Sequence, residues 1–230
     1  MLALMLVACG DPAADRARYV AALTSGDCAT VTTPTLQADC WTALAARKPE
    51  AAPTLDQKRA HCAQIDDENA RGECLFVLAE ANTALDVCKE AGPYADDCAL
   101  HLVSRAFAAE KHPSEEFAAA AIATAGLAAD DPRPWSAYFR EVLGREQPLD
   151  RARCVLAGTP ARVEACRQTA LGLFADRLNQ ARDRRQFTCV DGVPKPPWPA
   201  RVAWVADPDL NGAFTARTDL CTPLDRPPAR

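Results

Sequence analysis

Cys62-Ala-Gln-Ile-Asp-Asp-Glu-Asn-Ala-Arg-Gly-Glu-Cys74 decides how the rest of the chain reads. Its two cysteines stand twelve residues apart, the interval that also separates Cys28 from Cys40 and Cys154 from Cys166. Cys88 and Cys98 are ten apart. The first two pairs are offset by 34 residues at both cysteines, a period that belongs to helical-hairpin repeats. The fourth pair follows the third by 66 and 68 residues, close to two such periods, which leaves room for a hairpin without cysteine.

The intervening residues carry helix punctuation. In the three longer pairs the fifth residue after the first cysteine is Thr33, Asp67 or Thr159, all good N-caps. The next is Pro34, Glu68 or Pro160, which suits the first helical position. Gly92 and Pro93 fill these roles in the shorter pair. Each second cysteine therefore sits about two turns into a new helix. Each first cysteine closes the preceding one, with Gly92 and Gly158 as helix stops. Leu44, Leu78, Leu102 and Ala170 each lie four residues beyond a second cysteine, on its face of the helix.

The helical reading extends between the pairs. Thr54-Leu-Asp-Gln57 is a capping box. Pro113-Ser-Glu-Glu-Phe117 and Asp131-Pro132 open two helices that fill the gap in the repeat. Residues 160–185 read as one long helix whose closing arginines oppose its dipole. Composition agrees: 49% hydrophobic and 25% charged residues make a globular chain, and 6% aromatics beside abundant alanine favour helices. Two antiparallel helices bring such cysteines together, since a bridge needs Cα atoms roughly 4.4–6.8 Å apart. Sequence alone does not choose a pairing among Cys28, Cys40, Cys62, Cys74, Cys88, Cys98, Cys154, Cys166, Cys189 and Cys221.

Past Phe187 the texture changes. Val190–Pro199, with prolines at 194, 196, 197 and 199, excludes helix. Ala200–Ala206 and Ala213–Asp219, around Asp-Pro-Asp-Leu-Asn-Gly, read as a short β-hairpin with Cys189 and Cys221 bridging its base. The expected fold is all-α: a solenoid-like stack of α-hairpins over residues 9–186 and a small β-hairpin or irregular cap over 187–230.

The chain opens Met-Leu-Ala-Leu-Met-Leu-Val-Ala-Cys-Gly. Leu6-Val7-Ala8-Cys9 resembles the lipobox of bacterial lipoproteins. That resemblance implies that residues 1–8 are a signal remnant and that Cys9 is the first mature residue, carrying diacylglycerol as a membrane anchor. Removing Cys9 leaves an even ten cysteines for disulfides. The stretch Val87-Cys-Lys-Glu-Ala-Gly-Pro-Tyr-Ala-Asp-Asp-Cys-Ala-Leu-His-Leu102 is similar to the cysteine, glycine turn, cysteine, leucine order of Sel1-like repeats. With the hairpin period it resembles disulfide-bridged Sel1-like and tetratricopeptide-type repeats of exported bacterial proteins. That implies a scaffold binding peptides or proteins.

Catalytic signatures are weak. No two cysteines lie two to four apart, so zinc, iron–sulfur and haem-attachment spacings are missing, and neither metal nor cofactor is expected. His61 and His101 each neighbour a cysteine pair, and Asp97 lies four residues before His101; an ion pair is the plainer reading than a base. Trp135, Tyr138 and Phe139 share a helix face. They read first as core, and as a second possibility as a peptide groove with Arg140 beside it. Pro194–Pro199 with Trp198 reads as packing against the body in preference to a polyproline ligand.

Net charge is −5 and unevenly spread. Residues 56–130 hold 6 basic and 14 acidic groups, and residues 131–230 hold 16 and 12. Arg177, Arg182, Arg184 and Arg185 cluster without an aromatic platform, so nucleic acid is not expected. The sequence points to a lipid-anchored, non-catalytic scaffold of the bacterial cell envelope, facing the periplasm or the cell surface, with a protein or peptide partner. The alternatives are an envelope enzyme or small-ligand carrier with a site between the helices and the cap, and a structural subunit of an envelope complex.

Overall fold

A computed structural model describes residues 12–47, 54–145, 154–155, 157–184, 186–195 and 218–221. Cys9, the segments 200–206 and 213–217, Trp198 and Arg185 lie outside those residues. The fold is mainly α-helical with a small C-terminal antiparallel hairpin. Among the described residues nine helices follow in order: α1 (Pro12–Ser25), α2 (Pro34–Ala46), α3 (Leu55–Cys62), α4 (Glu68–Asn82), α5 (Leu85–Cys88), α6 (Ala95–Ala109), α7 (Glu115–Thr124), α8 (Pro132–Gly144) and α9 (Pro160–Asp183).

Helix starts follow side-chain chemistry. Thr54 and Gln57 form the reciprocal capping box that opens α3. Asp67, Ser114, Asp131 and Thr159 each accept from a first-turn backbone N–H of α4, α7, α8 and α9. Thr33 is the exception, since its side chain makes no capping bond. Buried Asp15 of α1 instead holds the residues just before the helix: its carboxylate accepts from the N–H and hydroxyl of Thr32 and the N–H of Thr33, at 2.7–2.9 Å. Arg18 adds a fourth contact at 3.0 Å. Hydrogen bonds from Thr33 and Thr32 hold the carboxyl well below the usual carboxylate range, against its burial.

The chain divides into two compact units, residues 1–102 and 103–230. In the first, α2 packs on α1, α3 and α4, and α4 packs on α5 and on the 3-10 turn Gly92–Tyr94. Three bridges lie within this unit: Cys28–Cys40, Cys62–Cys74 and Cys88–Cys98, with Cα atoms 5.4–5.8 Å apart. All six half-cystines are buried, in one core with Leu44, Leu78 and Leu102. In the second unit α8 lies along α9, and α7 contacts α8. Its core gathers Phe107, Trp135, Tyr138, Phe139 and Phe174 around the buried Cys154–Cys166 bridge. The long helix α6 contributes Cys98 and Leu102 to the first core, Val103 and Phe107 to the second.

A small antiparallel hairpin precedes the segments 200–206 and 213–217, which lie outside the described residues. Its strands are β1 (Thr188–Val190) and β2 (Val193–Lys195), and Thr218–Cys221 is a 3-10 turn rather than the end of a strand. Asp191 and Gly192 between them both adopt positive φ, 51° and 73°, as the mirror-image turn of a two-residue hairpin requires. Pro194 stands opposite Cys189 in a two-stranded sheet, where both strands are edges and a missing N–H is tolerated. The fifth bridge, Cys189–Cys221, joins β1 to this turn.

Close approach explains a mid-helix glycine. A Cβ on Gly72 of α4 would fall 2.6 Å from the Ala91 carbonyl oxygen and 3.0 Å from the Tyr94 ring. Alanine in an open helix gains about 1 kcal/mol over glycine. Here the clash reverses the sign, and Gly72→Ala is expected to lose roughly 1–3 kcal/mol in urea denaturation. A neutral or stabilising result would mean that α4 is free to move off the turn. Asp15 gives a second outcome, a dependence on pH. A depressed folded pKa stabilises above the unfolded value, and that contribution is lost as pH falls toward the folded one. The stability gap between wild type and Asp15→Asn is therefore full above about pH 4 and narrows on acidification. A gap independent of pH would contradict it.

Candidate functional site

Each helix end leaves carbonyls without partners, and most helices here carry no basic residue in their own last turn. Arginines from elsewhere serve instead. Arg47 donates to the Leu23 carbonyl at the end of α1, at 2.9 Å. Arg145 donates to the carbonyls of Ala108, Glu110 and Lys111 around the end of α6. Arg177 of α9 donates to those of Leu143 and Gly144 at the end of α8, at 3.3 and 3.0 Å. A residue that the sequence placed in the closing basic cluster of α9 thus acts on a neighbouring helix, where a cation favours the negative end of the dipole. Lys58, almost fully buried, donates to Asn82 Oδ1 at the last residue of α4, at 3.1 Å.

The ring stripe of α8 is core. Trp135, Tyr138 and Phe139 are 0–5% exposed and so line no groove; only Arg140 beside them is exposed. Edge-on contacts connect Tyr138 to Trp135 at 5.8 Å, to Phe139 at 5.1 Å and to Phe107 at 5.8 Å. Both polar handles are satisfied internally, Trp135 Nε1 by the Ala129 carbonyl and the Tyr138 hydroxyl by that of Pro113. Burial pushes the Tyr138 phenol up to about 12. The Arg162 guanidinium lies 3.9 Å from the centroid of the Trp135 ring, a cation–π contact that caps the stripe from α9. Rings of this size each bury roughly 150–250 Å², so the stripe's place is set by packing.

Two imidazole–aromatic contacts lie beside the bridges of the first unit. His61, next to Cys62, stacks on Trp41, next to Cys40, at 5.5 Å and 18°. His101, three residues after Cys98, tilts against Phe76, two after Cys74, at 5.7 Å. Each pair links two helices of the first unit, α2 to α3 and α4 to α6. The hairpin spacing that aligns cysteines also aligns these rings. His101 Nε2 lies 3.2 Å from Glu80 Oε1, with both side chains two-fifths or more exposed. The sequence had offered Asp97 to this histidine. Glu80, twenty-one residues earlier on α4, carried no local signal for the contact. Burial holds the His61 imidazole below its ordinary range, so it is neutral at pH 7.

A carboxylate beside an imidazole orients it, but solvent at this exposure screens the pair. Flat rings with one polar edge are suited to contact with a peptide or protein surface. All ten described cysteines are oxidised in pairs and so supply no thiolate. Among the described residues no three His, Cys, Asp or Glu side chains come together as a ligand set, and no helix is long and apolar enough to cross a membrane. No family model, curated protein or solved structure matches the chain.

The stacked pair has an optical consequence. An imidazolium quenches a neighbouring indole, so acidification should dim Trp41 with an apparent midpoint below about 6.5. The step should vanish in His61→Phe, which keeps the stack but cannot titrate. An unchanged step in that variant would assign it to another group.

Proposed function

We propose that this chain is a lipid-anchored scaffold of the bacterial cell envelope that binds a protein or peptide and performs no catalysis. The observation that carries the reading is the set of five intrachain disulfides. Bridges at this density persist where thiols are oxidised, outside the cytoplasm, and are rare where glutathione and thioredoxin keep them reduced. The Leu6-Val7-Ala8-Cys9 lipobox supports an anchor in the same compartment, with two or more acyl chains for a firm hold.

The first unit supports the binding half of the proposal. It holds 8 Lys and Arg against 15 Asp and Glu, a balance of −7, while the second holds 18 against 16. Such a field attracts a basic partner and raises its encounter rate at low salt. The exposed His101 and the half-buried His61 and Phe76 beside the bridges offer contact rings on the same unit. A catalytic reading draws on the His101–Glu80 pair. Its exposure to water leaves reacting groups unshielded, and binding is favoured.

Two measurements test the proposal. Protein extracted from native membranes should yield an N-terminal peptide that begins at Cys9 and carries acyl mass, and Cys9→Ser should move the protein to the soluble fraction. Photo-crosslinkers at positions 76 and 80 should capture a reproducible, basic partner, and the capture should weaken as salt rises. Membrane attachment that survives Cys9→Ser overturns the anchor. Crosslinkers that return no common partner overturn the scaffold.

A further inference from the structure

We propose that the Cys189–Cys221 bridge is a redox-sensitive clasp: it holds Leu220 in the core of the second unit, and reduction by a dithiol releases it. The inference is independent of the partner-binding reading and needs only the bridges. The half-cystines of the other four bridges are at most 1% exposed. Cys189 on β1 is exposed and Cys221 is only partly buried. Thiol–disulfide exchange requires an attacking thiolate to reach a sulfur in line with the bond, so access separates this bridge from the rest.

What the bridge holds is small. Thr218–Cys221 is a 3-10 turn of four residues, too short to stand on its own hydrogen bonds. Leu220 within it is 5% exposed and belongs to the hydrophobic core around Trp135 and Phe174. The turn packs against β2, the partner strand of β1. The exposed covalent link and the buried leucine are thus adjacent residues. Opening the link removes the constraint that keeps the leucine in place and uncovers apolar surface in the second unit.

The exchange balances as a two-electron transfer. A thiolate of the dithiol attacks Sγ of Cys189, the S–S bond breaks, and Sγ of Cys221 leaves and takes a proton. The second thiol of the reductant then attacks the mixed disulfide and frees Cys189 as a thiol. The reductant ends as a disulfide, and the protein gains two electrons and two protons. A thioredoxin-type dithiol is the class of reductant required.

The test uses the full oxidised chain under native conditions. It is titrated with dithiothreitol, quenched by alkylation, and mapped by mass spectrometry alongside hydrogen exchange. Cys189 and Cys221 are expected to be alkylated at least about tenfold faster than the other eight cysteines. In that two-thiol species, amides of 218–221 and 188–195 should exchange about tenfold faster while α8 and α9 stay protected. The double variant Cys189→Ser, Cys221→Ser should show the same exchange pattern without reductant. Equal reduction of all five bridges overturns the proposal, and so does selective reduction that leaves exchange at 218–221 unchanged. Should the double variant fail to fold, the titration of the natural chain still decides.

Discussion

Four disulfides buried inside helical hairpins set the terms for everything around them. Each fixes two Cα atoms of neighbouring segments 5.4–5.8 Å apart, within the range a bridge requires. Only small side chains fit beside such a contact, which accounts for the alanine that lines these helices and for Gly72, where even a methyl group meets a carbonyl. A core of alanine and cystine buries less apolar area per residue than one of leucine and phenylalanine. The bridges offset that shortfall by restricting the unfolded chain, each by roughly 2–4 kcal/mol. The two units strike this balance differently. The first has three buried bridges and Trp41 as the large ring of its core; the second has one buried bridge and a cluster of five large rings.

Close helices with small side chains also leave backbone ends near one another, and the polar contacts are arranged accordingly. Arg47, Arg145 and Arg177 reach carbonyls at the ends of other helices, and Asp15 reaches N–H groups at the start of α2. These long side chains work between segments, because the helices they serve end in serine, alanine or glycine and carry no basic residue in their own last turn. An arginine-rich composition that looks like background in the sequence is therefore employed in joining elements. The buried Asp15 carboxylate is stable as an anion because three protein donors and Arg18 replace its water.

Local chemistry is legible in the sequence and long-range chemistry is not. The twelve-residue spacing, the caps at Asp67, Thr54, Ser114, Asp131 and Thr159, and the proline at the first position of α2, α8 and α9 all mark the chain locally. Each shows itself in the order of neighbouring residues, because both partners of the interaction lie close together along the chain. Thr33 shows the limit: it stands at the capping position, yet its side chain makes no capping bond, and its own backbone N–H is held by Asp15 of α1. The hairpin is a second local case: Asp191–Gly192 marks its own turn, although the prolines around it obscure the strands on either side. Glu80 and His101 meet because α4 and α6 pack in the first unit, and no periodicity within either helix announces it.

The staples bear on what kind of recognition the first unit can offer. Its helices are tied to their neighbours at intervals of ten or twelve residues, which restrains hinge or shear movements within a hairpin. His61, Phe76 and His101 lie within three residues of these ties, and their rings are placed by the same covalent geometry. A partner that binds there meets a preformed surface and loses little free energy to ordering it. On a unit of charge −7, the pull on a basic partner would fall as salt rises, with no helix having to move.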